Sequence, residues 1–131
     1  MIVLDTHVLV WWANGSPALS ARAQREIRGA SGGGLIHVSA ISAFEIATAV
    51  RRGRLDLGMP LEQWFGDLAL LPELRIQPLT PEIALIAGSF GESAPRDPAD
   101  RLIAATALAL GARLVTADAK LRAFSQVRTV W

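Results

Sequence analysis

Five carboxylates in this chain stand where packing alone would not ask for them. Asp97 and Asp100 lie three positions apart in RDPADRLIAA, Asp5 closes the opening run MIVLD, Asp118 follows RLVTA, and Glu45 interrupts SAISAFEIATAV. Asp97 occupies an N-cap position, with Pro98 at the first helical position and Gly111 just past the end, so Asp97 and Asp100 are expected together at the positive end of a helix. A capping box, with Asp100 reaching back from the third helical position, would explain that pair on structural grounds. It would not explain the other three. No Lys or Arg stands three or four positions from Asp5 or Glu45, and a buried ionised carboxylate without a partner is driven towards its neutral form. Clustered carboxylates repel unless a cation lies among them, and an all-oxygen set with no cysteine suits Mg²⁺ or Mn²⁺ rather than zinc. A pocket of acids around such an ion is the arrangement for hydrolysing phosphodiesters, because the ion acidifies a water and clamps the attacking and leaving oxygens.

The elements that must position these acids alternate along the chain. Short apolar strands are expected at Ile2–Leu4, Leu35–Val38, Leu74–Gln77, Arg113–Thr116 and Val127–Val130. Between them lie a helical piece through Trp11 and Trp12 and helices over Ser20–Arg28, Ser39–Arg52, Pro60–Leu70, Thr80–Gly88, from Asp97 and from Asp118. Gly32–Gly34 reads as a loop too short to separate domains. The pattern predicts an α/β fold of one domain over residues 1–131, a doubly wound, mostly parallel sheet of four or five strands with helices on both faces. In such a sheet ligands bind beyond the carboxyl ends of the strands. Asp5 and Asp118 follow strands, the Asp97/Asp100 helix must start at that same edge, and Glu45 lies in the second turn of the helix leaving the second strand. All five can face one pocket. The Glu45 helix is apolar or small nearly all round, which predicts a buried helix.

Composition bounds the function. The 131 residues carry a net charge of +1 and no cysteine, so neither a disulfide framework nor a thiol nucleophile is available. No apolar run approaches a membrane span, and Asp5 breaks any secretory leader at once, so a cytoplasmic protein is expected. Twelve of the thirteen basic residues are Arg. Arg22, Arg25 and Arg28 repeat on one helix and Arg51, Arg52 and Arg54 form a second cluster; either could track a phosphate backbone or simply form a solvated face. The apolar fraction of 51% is high and points to a partner or a second copy. Trp11, Trp12, Trp64 and Phe65 are the candidates for a groove that accepts an amphipathic helix. His7 is expected to fill the base of the first helix, and His37 to sit in a strand without a chemical role.

LDTHVLVWW, VSAISAFEIA, DPADRLIAATAL and LVTAD, in that order and spacing, resemble the PIN-domain ribonuclease toxins of prokaryotic toxin–antitoxin systems, the VapC family. The similarity covers nearly the whole chain, including the spacer RRGRLDLGMPLEQW. It implies a Mg²⁺- or Mn²⁺-dependent endoribonuclease, commonly a homodimer, neutralised by a cognate antitoxin that occupies the aromatic groove and can place a basic side chain in the acidic pocket. It further implies that Asp5, Glu45, Asp100 and Asp118 are the catalytic, metal-binding acids, with Asp97 an extra acid and Thr6 and Thr116 hydroxyl positions beside the site. Two departures concern the pocket rim: Ala99 and Phe44 stand where many relatives carry a bulky aromatic and a Trp. The alternatives are a catalytically weak PIN-fold binding module, or another Mg²⁺-dependent phosphoryl-transfer domain. A receiver domain would need a second acid next to Asp5, and a dehalogenase-type phosphatase would need Asp where His7 stands.

Overall fold

The computed structural model describes residues 1–33 and 35–131, so of the Gly32–Gly34 loop Gly34 lies outside the described residues. The element order is β1 (Ile2–Leu4), α1 (Thr6–Ala13), α2 (Ala21–Ser31), β2 (Ile36–Ser39), α3 (Ala40–Arg51), α4 (Leu61–Ala69), β3 (Leu74–Gln77), α5 (Pro81–Ser89), α6 (Pro98–Leu110), β4 (Arg113–Val115), α7 (Ala119–Ala123) and β5 (Thr129–Val130). Helix ends follow local chemistry. The Ser20 and Thr80 hydroxyls accept from Ala23 N–H (3.0 Å) and Ile83 N–H (3.2 Å), and α6 stops at Gly111, whose φ of 62° is the left-handed cap that glycine adopts freely. The last strand is shorter than the expected Val127–Val130.

All strand pairs are parallel, in the order β3-β2-β1-β4-β5. The chain therefore builds outward from β1 to β3, then returns across the sheet through α5 and α6 to lay β4 on the other side of β1. That reversal opens a crevice at the carboxyl ends of β1 and β4. Strand alternation divides the core between two faces. Ile2, Leu4, Ile36, Val38 and Val115 pack with α1, α2, Ile46 of α3, Trp64 and Leu68. Val3 and Leu114 point the other way, against Ile83 and Ala87 of α5, Ile103 and Ala107 of α6, Leu121 and Phe124. The expected doubly wound sheet is what forms, with five strands among the described residues. No helix among the described residues is long and apolar enough to cross a membrane.

Two expectations need correction. Helix α3 is not buried: only Ser42 and Ile46 are fully enclosed, and Phe44 is 67% exposed. Half of its apolar positions are alanines, which read as hydrophobic by type yet have little surface to bury. Trp64, taken as part of an open groove, is 5% exposed; its ring meets Phe65 edge-on at 5.2 Å and its indole N–H donates to Asn14 Oδ1 at 3.4 Å. The stripe Leu61–Trp64–Phe65–Leu68 faces the sheet, as an amphipathic helix must. Trp64→Ala should therefore destabilise the protein by about 3–5 kcal/mol, whereas Leu85→Ala, on a side chain 74% exposed, should stay within about 0.5 kcal/mol of the parent. Urea unfolding midpoints of the two variants check this, and a Trp64→Ala protein as stable as the parent would return that ring to the surface.

Candidate active site

β1 and β4 pair Leu4 with Val115, so one residue further along each strand Asp5 arrives beside Thr116. The Thr116 hydroxyl donates to Asp5 Oδ2 at 2.6 Å, and Asp5 Oδ1 accepts from Thr6 N–H at 2.8 Å, capping α1. Asp5 is only 4% exposed. His7, one residue into α1, faces the same carboxylate, with Nδ1 3.5 Å from Asp5 Oδ2. Its Nε2 accepts from Ala117 N–H at 3.1 Å, which leaves the proton of the neutral ring on Nδ1, towards Asp5. His7 thus does more than fill the helix base: it ties the loop after β4 to the first acid. Thr116 has a second task, since its hydroxyl oxygen accepts from Asp118 N–H at 3.0 Å. Asp118 in turn caps α7 through Lys120 N–H (2.8 Å) and Leu121 N–H (3.1 Å).

Glu45 reaches the pocket from α3. Thr6 donates its hydroxyl to Glu45 Oε1 at 2.5 Å, and because that hydroxyl has one proton, the contact at 2.9 Å to Ser42 must be donated by Ser42. Ser42 is completely buried and was not singled out from the sequence. Its signal was there: a serine one turn before Glu45 in a helix whose residues are mostly apolar. Arg101 was also missed. Its guanidinium donates to the carbonyls of Pro95 (2.7 Å), Phe90 (3.0 Å), Ala87 (3.4 Å) and Gly91 (3.5 Å). A cation in the first turn of α6 opposes the helix dipole; what justifies it is the end of α5, whose last carbonyls need donors. Arg101 therefore anchors the loop that delivers Asp97 and Asp100.

Asp97 caps α6, with Oδ1 accepting from Ala99 N–H (2.7 Å) and Asp100 N–H (3.4 Å). The reciprocal half of a capping box does not form, and among the described residues the Asp100 carboxyl has no hydrogen-bond partner. Partial burial first, then the charges of Asp5, Asp97, Asp118 and Glu45 in that order, push its pKa from 3.8 up to about 7. Glu45 is raised as well, chiefly by burial; the Thr6 hydrogen bond works against the rise, and the charges of Asp5 and Asp97 add to it. The five acids thus share one electrostatic pocket at the sheet's reversal point, although among the described residues no three converge closely enough to enclose an ion as they stand. Capping bonds hold Asp5, Asp97 and Asp118 against their own helix ends. The donor set itself, carboxylate oxygens beside threonine hydroxyls, is the chemistry that hard divalent cations require.

The basic and aromatic candidates separate. Arg51, Arg52 and Arg54 line a cavity of about 460 Å³ together with Glu45, Asp97, Phe44 and Ala99. Arg22, Arg25 and Arg28 are exposed on α2, and Arg28 borders a different cavity with Trp12 and Leu19. Trp11 packs on His7 (4.9 Å) and Trp131 (5.8 Å) and lines a further cavity with Thr6, Glu45, Arg54 and Leu55. Trp64 borders yet another. The four aromatics expected in one groove do not meet in one. His37 is buried against Gln77, ring nitrogen to amide nitrogen at 2.9 Å, away from the acids.

Comparison with known proteins agrees with this geometry. The PIN domain family matches residues 2–127. Ribonuclease VapC22 of Mycobacterium tuberculosis is 40% identical over 99% of this chain and 98% of its own length. Among solved structures, VapBC2 of Rickettsia felis, bound to a DNA fragment from its promoter, superposes with a TM-score of 0.71 at 22% identity, covering 99% of this chain and 98% of that one. FitAcB of Neisseria gonorrhoeae gives 0.69 at 23% identity, over 100% of this chain and 97% of that one. Fold, acid constellation and sequence similarity converge: the chain belongs to the PIN-domain family, in its VapC branch.

Proposed function

We propose that this protein is a metal-dependent endoribonuclease, the toxin of a toxin–antitoxin pair, acting as one PIN domain in the cytoplasm and as a homodimer. The observation that carries the reading is Asp100: a carboxyl without a hydrogen-bond partner among the described residues, set among four others and pushed, by burial first and then by their charges, to about pKa 7. Crowding of that kind is costly unless a cation offsets it. The 40% identity to a ribonuclease supports the choice of RNA, and membership of the PIN family argues against the receiver and phosphatase alternatives. The solved VapBC and FitAB assemblies are the basis for assigning a cognate antitoxin.

Asp5, Glu45, Asp100 and Asp118 would hold Mg²⁺ or Mn²⁺, with Asp97 beside them. When bound, such an ion acidifies water and offsets the charge that builds on the phosphate. The chain's own groups do the rest. Thr116 and His7 fix Asp5; Ser42 and Thr6 fix Glu45; Arg101 sets the start of α6. Arg51, Arg52 and Arg54 draw the RNA backbone towards the acids. An antitoxin helix that reached the same pocket would meet Trp11 at its rim. A catalytically weak binding module is the competing reading, and EDTA-sensitive cleavage of RNA by the purified protein in Mg²⁺ or Mn²⁺ separates the two.

Asp100→Asn keeps the shape and removes one charge, so cleavage at saturating Mn²⁺ should fall by about a hundredfold or more. Asp97→Asn should cost much less, because Asn caps a helix about as well as Asp. Rates within a few-fold of the parent for Asp100→Asn would remove it from the ligand set.

Burial of Asp100, and after it the crowding of the acids, sets a pH dependence for the metal-free protein. The folded pKa of Asp100 is raised, so the stability its proton confers is present in full below 3.8 and lost as pH rises through about 7. Holding this position neutral, Asp100→Asn should flatten that decline and stabilise the metal-free protein at pH 8 by about 1–2 kcal/mol, solvent screening at a half-buried group reducing the full effect. Asp5→Asn should do the opposite, costing about 1 kcal/mol by disturbing the bonds to Thr116 and Thr6. Thermal melts in EDTA between pH 5 and pH 8 read both; parallel pH profiles for the parent and Asp100→Asn would show that the carboxylates do not crowd.

A further inference from the structure

One aromatic side chain behaves unlike the rest. Of the four Trp and four Phe, the other seven are buried or half-buried, while Phe44 stands 67% exposed. It is adjacent to Glu45 on α3 and lines the cavity of about 460 Å³ that also takes in Thr48, Arg51, Arg52, Arg54, Asp97 and Ala99. Phe44, Thr48 and Arg51 are spaced i, i+4, i+7, so they form one stripe on the helix, extending about 10 Å along its axis from the acids outward. None of the three arginines is ion-paired among the described residues. A cation in the last turn of α3 is ordinary helix-end chemistry. Three free guanidinium groups converging on one cavity with a bare phenyl ring are not explained by it. Ala99, on the same cavity, contributes only a single methyl group to its lining.

Resting on the ribonuclease reading above, we propose that this stripe is the specificity platform of the site: Phe44 stacks an unpaired nucleobase next to the scissile linkage, while Arg51, Arg52 and Arg54 hold the phosphates that lead away from it. A ring of this kind selects single-stranded RNA, because a base inside a duplex has no free face to offer. The three guanidinium groups favour a nucleic acid over a protein partner as occupant, since the cavity's own acids then face an ion and its bases face phosphate. The arginines supply affinity without sequence preference; the ring discriminates paired from unpaired bases.

The test uses the Asp100→Asn background to prevent turnover, Mn²⁺, and a short fluorescein-labelled oligoribonucleotide of mixed sequence, alone or annealed to its complement. Phe44→Ala should weaken single-strand binding roughly tenfold or more, Phe44→Trp should preserve it, and affinity for the duplex should be the same in both. Arg51→Gln and Arg52→Gln should weaken both forms, each lowering the slope of log K against log salt for the single strand by about 0.7. Single-strand affinity within twofold of the parent in Phe44→Ala, with metal-dependent cleavage by the otherwise unaltered protein intact, overturns the platform and leaves the ribonuclease reading standing. An unaltered protein that neither binds nor cleaves the strand overturns both. An equal loss on duplex and single strand, or a loss of self-association with RNA affinity intact, assigns Phe44 to packing or to a protein contact and overturns the platform.

Discussion

Like charges that must stay close are the constraint around which this molecule is arranged. Asp5, Glu45, Asp97, Asp100 and Asp118 gather at one edge of the sheet, and partial burial first, then their repulsion, raises the pKa of Asp100. The fold offsets part of that cost with its own dipoles. Asp5, Asp97 and Asp118 each cap a helix, α1, α6 and α7, and so accept from backbone N–H groups at the positive helix ends. Asp100 lies in the first turn of α6, close to the same dipole. Glu45 sits in mid-helix with no such help and depends on the Thr6 hydroxyl instead. A divalent ion would complete what the helix ends begin.

Bringing three capped helices to one edge is a property of the parallel sheet. Every helix leading to the next strand of such a sheet starts near the strands' carboxyl ends, so its N-terminus is delivered there without special design. The reversal from β3 back to β4 then sets β4 beside β1, which brings Asp5 and Thr116 to 2.6 Å from opposite parts of the chain. Polar side chains finish the job. Thr116 joins Asp5 to the loop of Asp118, Ser42 and Thr6 join α3 to α1, and Arg101 joins the end of α5 to the start of α6. Each link crosses between elements, so the pocket's geometry is only as firm as the packing behind it.

Helix α3 shows how the two sides of the pocket differ. Its inward side carries Ser42 and Ile46 into the core, and its outward side carries Phe44 and Arg51 to solvent beside the acids. The alanines between them allow α3 to approach α6 and α1 without presenting a large apolar surface. The aromatic surplus suggested by composition resolves differently at each ring: Trp64 belongs to the core, Trp11 borders the acid pocket, Trp12 borders a cavity near α2, and Phe44 is bare.

The sequence by itself determined the elements and the acids. Strand and helix alternation, the Asp97-Pro98 start and the Gly111 stop are local signals, because caps and periodicity act over a turn or two. Carboxylates stranded in apolar runs are visible for the same reason, since no Lys or Arg stands three or four positions from Asp5 or Glu45. What only the tertiary structure decided depends on contacts between distant segments: that Asp5 is satisfied by Thr116 while Asp100 has no partner among the described residues, that Ser42 and Arg101 brace the site, that α3 is half-exposed and Trp64 enclosed. Burial is set by what packs across an element, and a helix of small and apolar residues reads alike whether it is covered or bare. The two arginine clusters were equivalent in sequence for that reason as well; the path of the chain from β2 through α3 placed Arg51, Arg52 and Arg54 beside Glu45 and left Arg22, Arg25 and Arg28 on a separate face.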